Sequence, residues 1–111
     1  MAFRLRFFGG EHDGETYLVD ARRGVTLGRS PTNNIFVRDR NVSRVHCQIV
    51  VSDGVVTLTD LQSTNGTFVN NERTTETPLK VRDEIRVGTT LLQLEELDEQ
   101  GRTITDTAVM Q

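Results

Sequence analysis

Phe3, Leu5 and Phe7 alternate with Arg4 and Arg6 near the start of the chain. A period of two sends the apolar side chains to one face and the arginines to the other, the pattern of a half-buried strand. Strand-like runs recur at Thr16 to Val19, Val25 to Leu27, Ile35 to Val37, Val45 to Val51, Val55 to Thr59, Thr67 to Val69, Glu84 to Val87 and Leu91 to Leu97. Turn formers separate them. Gly9-Gly10-Glu11-His12-Asp13-Gly14 reads as a turn, and Ser52-Asp53-Gly54 and Asn70-Asn71 read as hairpin turns, because Gly and Asn tolerate the positive φ that tight turns require. No long stretch carries apolar residues at helical spacing between caps. Many short strands with turn signals predict an all-β fold, an antiparallel β-sandwich.

Composition sets bounds on that picture. The chain has 111 residues, one domain's worth, and at this size folding buries roughly 65% of the unfolded surface, enough for one core without staples. Hydrophobic residues make up 35% and charged residues 26%, ordinary for a soluble domain. No apolar run is long enough to span a bilayer, and Met1-Ala2-Phe3-Arg4 lacks the pattern of a signal peptide. The expectation is a cytoplasmic protein, or a cytosolic domain of a larger one. Cys47 is the single cysteine, so no internal disulfide forms. Its place in the alternation Val45, Cys47, Ile49, Val51 favours a core-filling role over a reactive thiol. With only His12 and His46 besides, no metal site is expected, and no cofactor.

Three polar islands stand beside apolar runs: Gly28-Arg29, Ser43-Arg44-Val45-His46 and Ser63-Thr64-Asn65-Gly66. A planar Arg fork, small hydroxyls and an Asn amide suit phosphate oxygens and a peptide backbone. The net charge is −3, yet residues 28–44 carry Arg29, Arg38, Arg40 and Arg44 against Asp39 alone. A phosphorylated side chain, with about −1.5 to −2 charges and three acceptor oxygens, complements that local excess.

In their order and spacing the islands resemble the forkhead-associated family, phosphothreonine-binding β-sandwiches with the pattern Gly-Arg, Ser-x-x-His, Asn-Gly. The resemblance covers roughly residues 3–97 and extends to Leu27-Gly28-Arg29-Ser30, to Asp60 through Asn70, and to Arg82-Asp83-Glu84-Ile85-Arg86-Val87-Gly88. It implies that residues 29–34, 37–44 and 62–66 form loops clustered at one end of the sandwich, where binding residues commonly sit. By this resemblance Arg29 and Ser43 contact phosphate, Thr64 joins them, and Asn65 holds the ligand's main chain. Gly28, His46 and Gly66 structure the loops, His46 by hydrogen bonding through its ring. Arg44 reads either as a further phosphate clamp or as a solvated side chain. Asn41 matches the region that in family members often reads the third residue after the phosphothreonine; since it is not an Arg, an acidic preference there does not follow. Threonine is favoured over serine by one buried methyl, worth about 0.8 kcal/mol.

These readings imply domain 1–97, a phosphopeptide-binding module, followed by a polar and flexible C-terminal tail over 98–111. The function expected is recognition of phosphothreonine written by a Ser/Thr kinase, recruiting a partner without catalysis. The alternative is a phosphate-independent interaction or self-association domain of the same fold. An enzyme is disfavoured: no nucleophile, base and orienting group are arranged together, no glycine-rich loop opens a helix, and no ligand cluster is visible. The acidic charge and few aromatics disfavour nucleic acid. Thr103, Thr105 or Thr107 of the tail, once phosphorylated, offers a ligand for the protein's own site or a neighbour's. The cluster Thr74-Thr75-Glu76-Thr77-Pro78 is expected to be a loop.

Overall fold

The computed structural model describes residues 2–19 and 24–104. Its strands are β1 (Ala2–Phe8), β2 (Thr16–Val19), β3 (Val25–Gly28), β4 (Ile35–Phe36), β5 (Cys47–Ser52), β6 (Val55–Asp60), β7 (Thr67–Val69), β8 (Glu72–Thr74), β9 (Glu76–Leu79), β10 (Glu84–Val87) and β11 (Thr90–Leu97). They form two sheets, ordered β2-β1-β11-β10-β7-β8 and β4-β3-β5-β6-β9. The pairings are antiparallel except for the short β3–β4 pair, which sets Leu27 beside Ile35 and Gly28 beside Phe36. No helix long and apolar enough to cross a membrane occurs among the described residues.

The core follows the period-two pattern. Phe3, Leu5 and Phe7 of β1 point inward with Leu92 and Leu94 of β11, and meet Leu27, Ile49 and Leu58 from the facing sheet. Cys47 is fully buried among them, and desolvation pushes its thiol up to about 12, so it is an inert core residue. The expected hairpins form. Asp53 and Gly54 have φ of 51° and 77°, and Asn70 and Asn71 have 50° and 70°, the paired left-handed residues of tight turns whose twist matches the strands.

Two expectations are corrected. Val45 is 45% exposed and lies outside β5, which begins at Cys47. Its neighbours Ser43 and Arg44 give their carbonyls to Arg29 and Ser30, so the chain there belongs to the loop surface and not to the sheet alternation. Thr74 to Pro78 is not a loop: it contains the end of β8 and most of β9, edge strands of opposite sheets, with Thr75 at the crossing. Their outer edges and partly exposed faces carry no apolar stripe to betray them, and Pro78 fits because an edge strand does not need every N–H. Beyond β11 the chain turns at Asp98, which accepts N–H bonds from Gln100 and Arg102, and returns so that Thr103 pairs with Leu97. Thr105 and Thr107 lie outside the described residues.

Candidate functional site

Strand ends bring the three islands to one edge of the molecule, and backbone bonds lace them together. Arg29 N–H donates to the Ser43 carbonyl at 2.9 Å, Ser30 N–H to Arg44 at 3.1 Å, and His46 N–H to Leu27 at 2.8 Å. This close approach requires the absent side chain of Gly28. A Cβ there would collide with the Arg44 carbonyl and lie 2.8 Å from Asn33 Nδ2. Buried Asn33 fastens the same seam, its amide donating at 2.7 Å to the carbonyls of both Ser30 and Arg44.

His46 joins the second island to the third. It is fully buried, its Nδ1 accepts the Ser43 N–H at 3.0 Å, and its Nε2 lies 2.9 Å from the Gly66 carbonyl. Only the tautomer with the proton on Nε2 satisfies both bonds. Because neither nitrogen faces the Ser43 hydroxyl, no serine–histidine dyad is set for nucleophilic chemistry.

Asp60 builds the third loop. Its carboxylate accepts from Ser63 Oγ at 2.5 Å, Ser63 N–H at 3.1 Å and Thr67 Oγ1 at 2.7 Å, and Ser63 Oγ in turn accepts the Gly66 N–H at 3.0 Å. Burial by itself would raise this carboxyl; the hydrogen bonds from Ser63 and Thr67 outweigh it and hold it below its ordinary range. Gly66 sits at φ 91°, a conformation that favours glycine, and a Cβ there would lie 2.7 Å from Arg73 Nε and displace that side chain.

What remains exposed above this scaffold is rich in donors. Thr64 N–H donates to Ser43 Oγ at 3.0 Å, leaving the serine proton free to point at a ligand. Arg29 spends Nε on the Val42 carbonyl at 3.0 Å, which fixes the guanidinium and leaves its terminal nitrogens open. Arg40 and Arg44 are exposed, and among the described residues neither has a carboxylate partner. Asn65 Nδ2 donates to the Asn41 carbonyl at 2.9 Å, which ties these two residues into one rim. Among the described residues no three His, Cys, Asp or Glu side chains gather to hold a metal.

The sequence profile of the FHA domain matches residues 25–88, which takes in all three islands and the strands that carry them. The chain belongs to the FHA family. Among curated relatives, an oxoglutarate dehydrogenase inhibitor of Corynebacterium efficiens is 37% identical over 71% of this chain and 55% of its own length. The glycogen accumulation regulator GarA of Mycolicibacterium smegmatis is 34% identical over 71% of this chain and 49% of its own. The chain thus spans about half the length of the curated relatives it matches. A solved structure from a study of phosphothreonine-dependent FHA domain interactions superposes with a TM-score of 0.81 and 32% identity, covering 88% of this chain and 99% of that one.

Several residues that shape this FHA site carry no role in the sequence reading. Asp60 has a local signal, an Asp placed to bond the N–H of Ser63. Asn33 and Asp39 each have a local turn bond, to Ser30 and from Asn41, but the partners that tie them to the site, Arg44 for Asn33 and Thr89 and Thr90 for Asp39, are distant. Asp39 Oδ2 accepts from Thr89 N–H at 2.8 Å, Thr89 Oγ1 at 2.8 Å and Thr90 Oγ1 at 2.9 Å, and Oδ1 accepts the Asn41 N–H at 2.9 Å. His12, read only as a turn residue, is buried, with Nε2 accepting the Arg38 N–H at 3.0 Å and Nδ1 beside Glu15 at 3.1 Å.

Proposed function

We propose that this FHA domain reads phosphothreonine in an extended segment of a partner protein, written there by a Ser/Thr kinase, and recruits the partner without altering it. The observation that carries the reading is the Thr64 N–H to Ser43 Oγ bond beside the fixed Arg29. It turns a hydroxyl proton outward next to a guanidinium whose terminal donors are free, a pairing suited to phosphate oxygens. Arg44 and the Thr64 hydroxyl widen the phosphate cradle, and Asn65 contacts the ligand's main chain. Gly28, His46 and Gly66 hold the loops, and Asn41 stands on the rim where a flanking ligand residue passes. The regulatory character of the named relatives agrees with a binding role and not a catalytic one.

The test is a titration by fluorescence anisotropy of degenerate phosphothreonine, phosphoserine and unphosphorylated peptide pools. Saturable binding by the phosphothreonine pool alone is expected. Arg29→Ala should weaken it about 10- to 100-fold, the worth of a hydrogen bond to a charged group, with the melting temperature nearly unchanged. Equal affinity in the folded variant would remove Arg29 from the site, and equal binding of the unphosphorylated pool would favour the phosphate-independent domain. Peptides carrying phosphorylated Thr105 or Thr107 belong in the same titration as self-ligands. Thr103 is the weaker choice, because its Oγ1 accepts from Arg4 at 2.8 Å and its backbone pairs with β11.

A further inference from the structure

We infer that Arg86, stacked on Phe68, reads an acidic side chain of the same ligand, close in sequence to the phosphothreonine; this rests on the phosphothreonine reading above. Arg86 of β10 and Phe68 of β7 are cross-strand partners, and the guanidinium carbon lies 4.1 Å from the ring centroid. They line a cavity of about 220 Å³ with Asn41, Asn65, Gly88 and Thr89. The cavity therefore opens on the Asn41–Asn65 rim, where the ligand's chain leaves the phosphate cradle.

Arg86 combines half-burial with an unpaired charge, whereas the unpaired Arg40 and Arg44 are exposed. Arg4 and Arg6 of β1, in the same sheet, share Glu95 at 2.7 and 3.0 Å. Arg38 also lies over an aromatic ring, that of Phe36 at 5.5 Å, but it has Glu11 at 3.6 Å. Arg86 is half-buried, and among the described residues no carboxylate pairs with it. A partly desolvated cation facing a polar cavity gains from an incoming carboxylate what it lacks within its own chain. Stacking holds the planar fork in place, so little freedom is lost when a carboxylate docks. Asp39, close to Gly88 at the end of the same strand, does not occupy this role. Its oxygens are held by Thr89, Thr90 and the Asn41 N–H behind the Gly88–Thr89 turn.

A side chain of this chemistry is not suggested by Asn41, the residue from which specificity was first sought. The cation comes from β10 and not from the loop that carries Asn41, and both line the same cavity. Phosphothreonine peptide pools with each flanking position fixed in turn as Asp, Lys or Ala, titrated by anisotropy, test the assignment. At one position wild type should favour Asp over Lys about tenfold, the scale of a single partly desolvated charge pair. Arg86→Gln should abolish that preference while leaving the Ala pool's affinity within about twofold. Arg86→Lys, which keeps charge but loses the stacked fork, should fall between the two. An Asp preference that survives Arg86→Gln or Arg86→Glu would overturn the assignment. So would a wild type that binds phosphothreonine pools with no acidic preference anywhere. Binding by no pool at all would overturn the phosphothreonine reading itself, and this inference with it.

Discussion

His46 shows how one side chain can govern a site it does not touch. Its two ring nitrogens are committed to the backbone of Ser43 and of Gly66, 3 and 20 residues from it in sequence. Replacing it with alanine leaves a part-buried N–H and a buried carbonyl without their partner and opens a void, a loss of about 3 kcal/mol. For a domain of this size that corresponds to a fall in melting temperature of more than about 10 °C. His46→Ala should therefore lower thermal stability by calorimetry and weaken phosphopeptide binding together, whereas Arg29→Ala should weaken binding alone. An unchanged melting temperature in folded His46→Ala would contradict the bracing role. The contrast is between a residue whose terminal nitrogens are left open to a ligand and one whose ring bonds all face inward.

At the scale of elements, the β4–β5 loop is held from two sides. The Arg29–Ser43 seam holds one side, and Asp39 moors the other to the β10–β11 hairpin through Thr89 and Thr90. Burial pushes the Asp39 carboxyl up, but bonds from Asn41, Thr89 and Thr90 hold it below its ordinary value. Asp39→Asn puts an amide against those donors and should cost about 2 kcal/mol of stability. Because Asn41 and Ser43 follow on the same loop, phosphopeptide affinity should also drop about tenfold, and both effects should shrink in a Thr89→Val, Thr90→Val background. Undiminished affinity in folded Asp39→Asn would show that the mooring does not reach the site. This element also marks the limit of what the sequence reveals. Arg29, Ser43, His46 and Asn65 are legible because each belongs to a short phrase at a strand end, and the strands around them announce themselves by alternation. Asp39 has partners 50 residues away, Arg86 meets Phe68 only once β10 pairs with β7, and β8 and β9 are polar edges without an apolar face. Such features arise from sheet order, which local patterns do not encode.

Across the whole molecule, carboxylates act as clamps beside the apolar core. Asp60 organises the β6–β7 loop, Asp39 ties a binding loop to the opposite sheet's hairpin, and Glu95 gathers Arg4 and Arg6 on the outer face of β1 and β11. For each, burial raises the carboxyl, and hydrogen bonds, joined at Glu95 by the two arginine charges, more than reverse that; folded values therefore fall below 3.8 for the two aspartates and 4.5 for the glutamate. A group whose folded value is depressed adds stability above its unfolded value, and that stability is lost as pH drops through the folded one. Thermal melts followed by circular dichroism should thus show a plateau from neutral pH to about pH 5, then a steep decline below about pH 4. Asp60→Asn should lower the plateau and flatten the decline, since one of the linked protons is removed. A loss of stability already complete at about pH 5 would show that these carboxylates do not set the acid limit of the fold. Because two of the three clamps hold binding loops, phosphopeptide affinity should decline over the same acid window in which the fold begins to loosen.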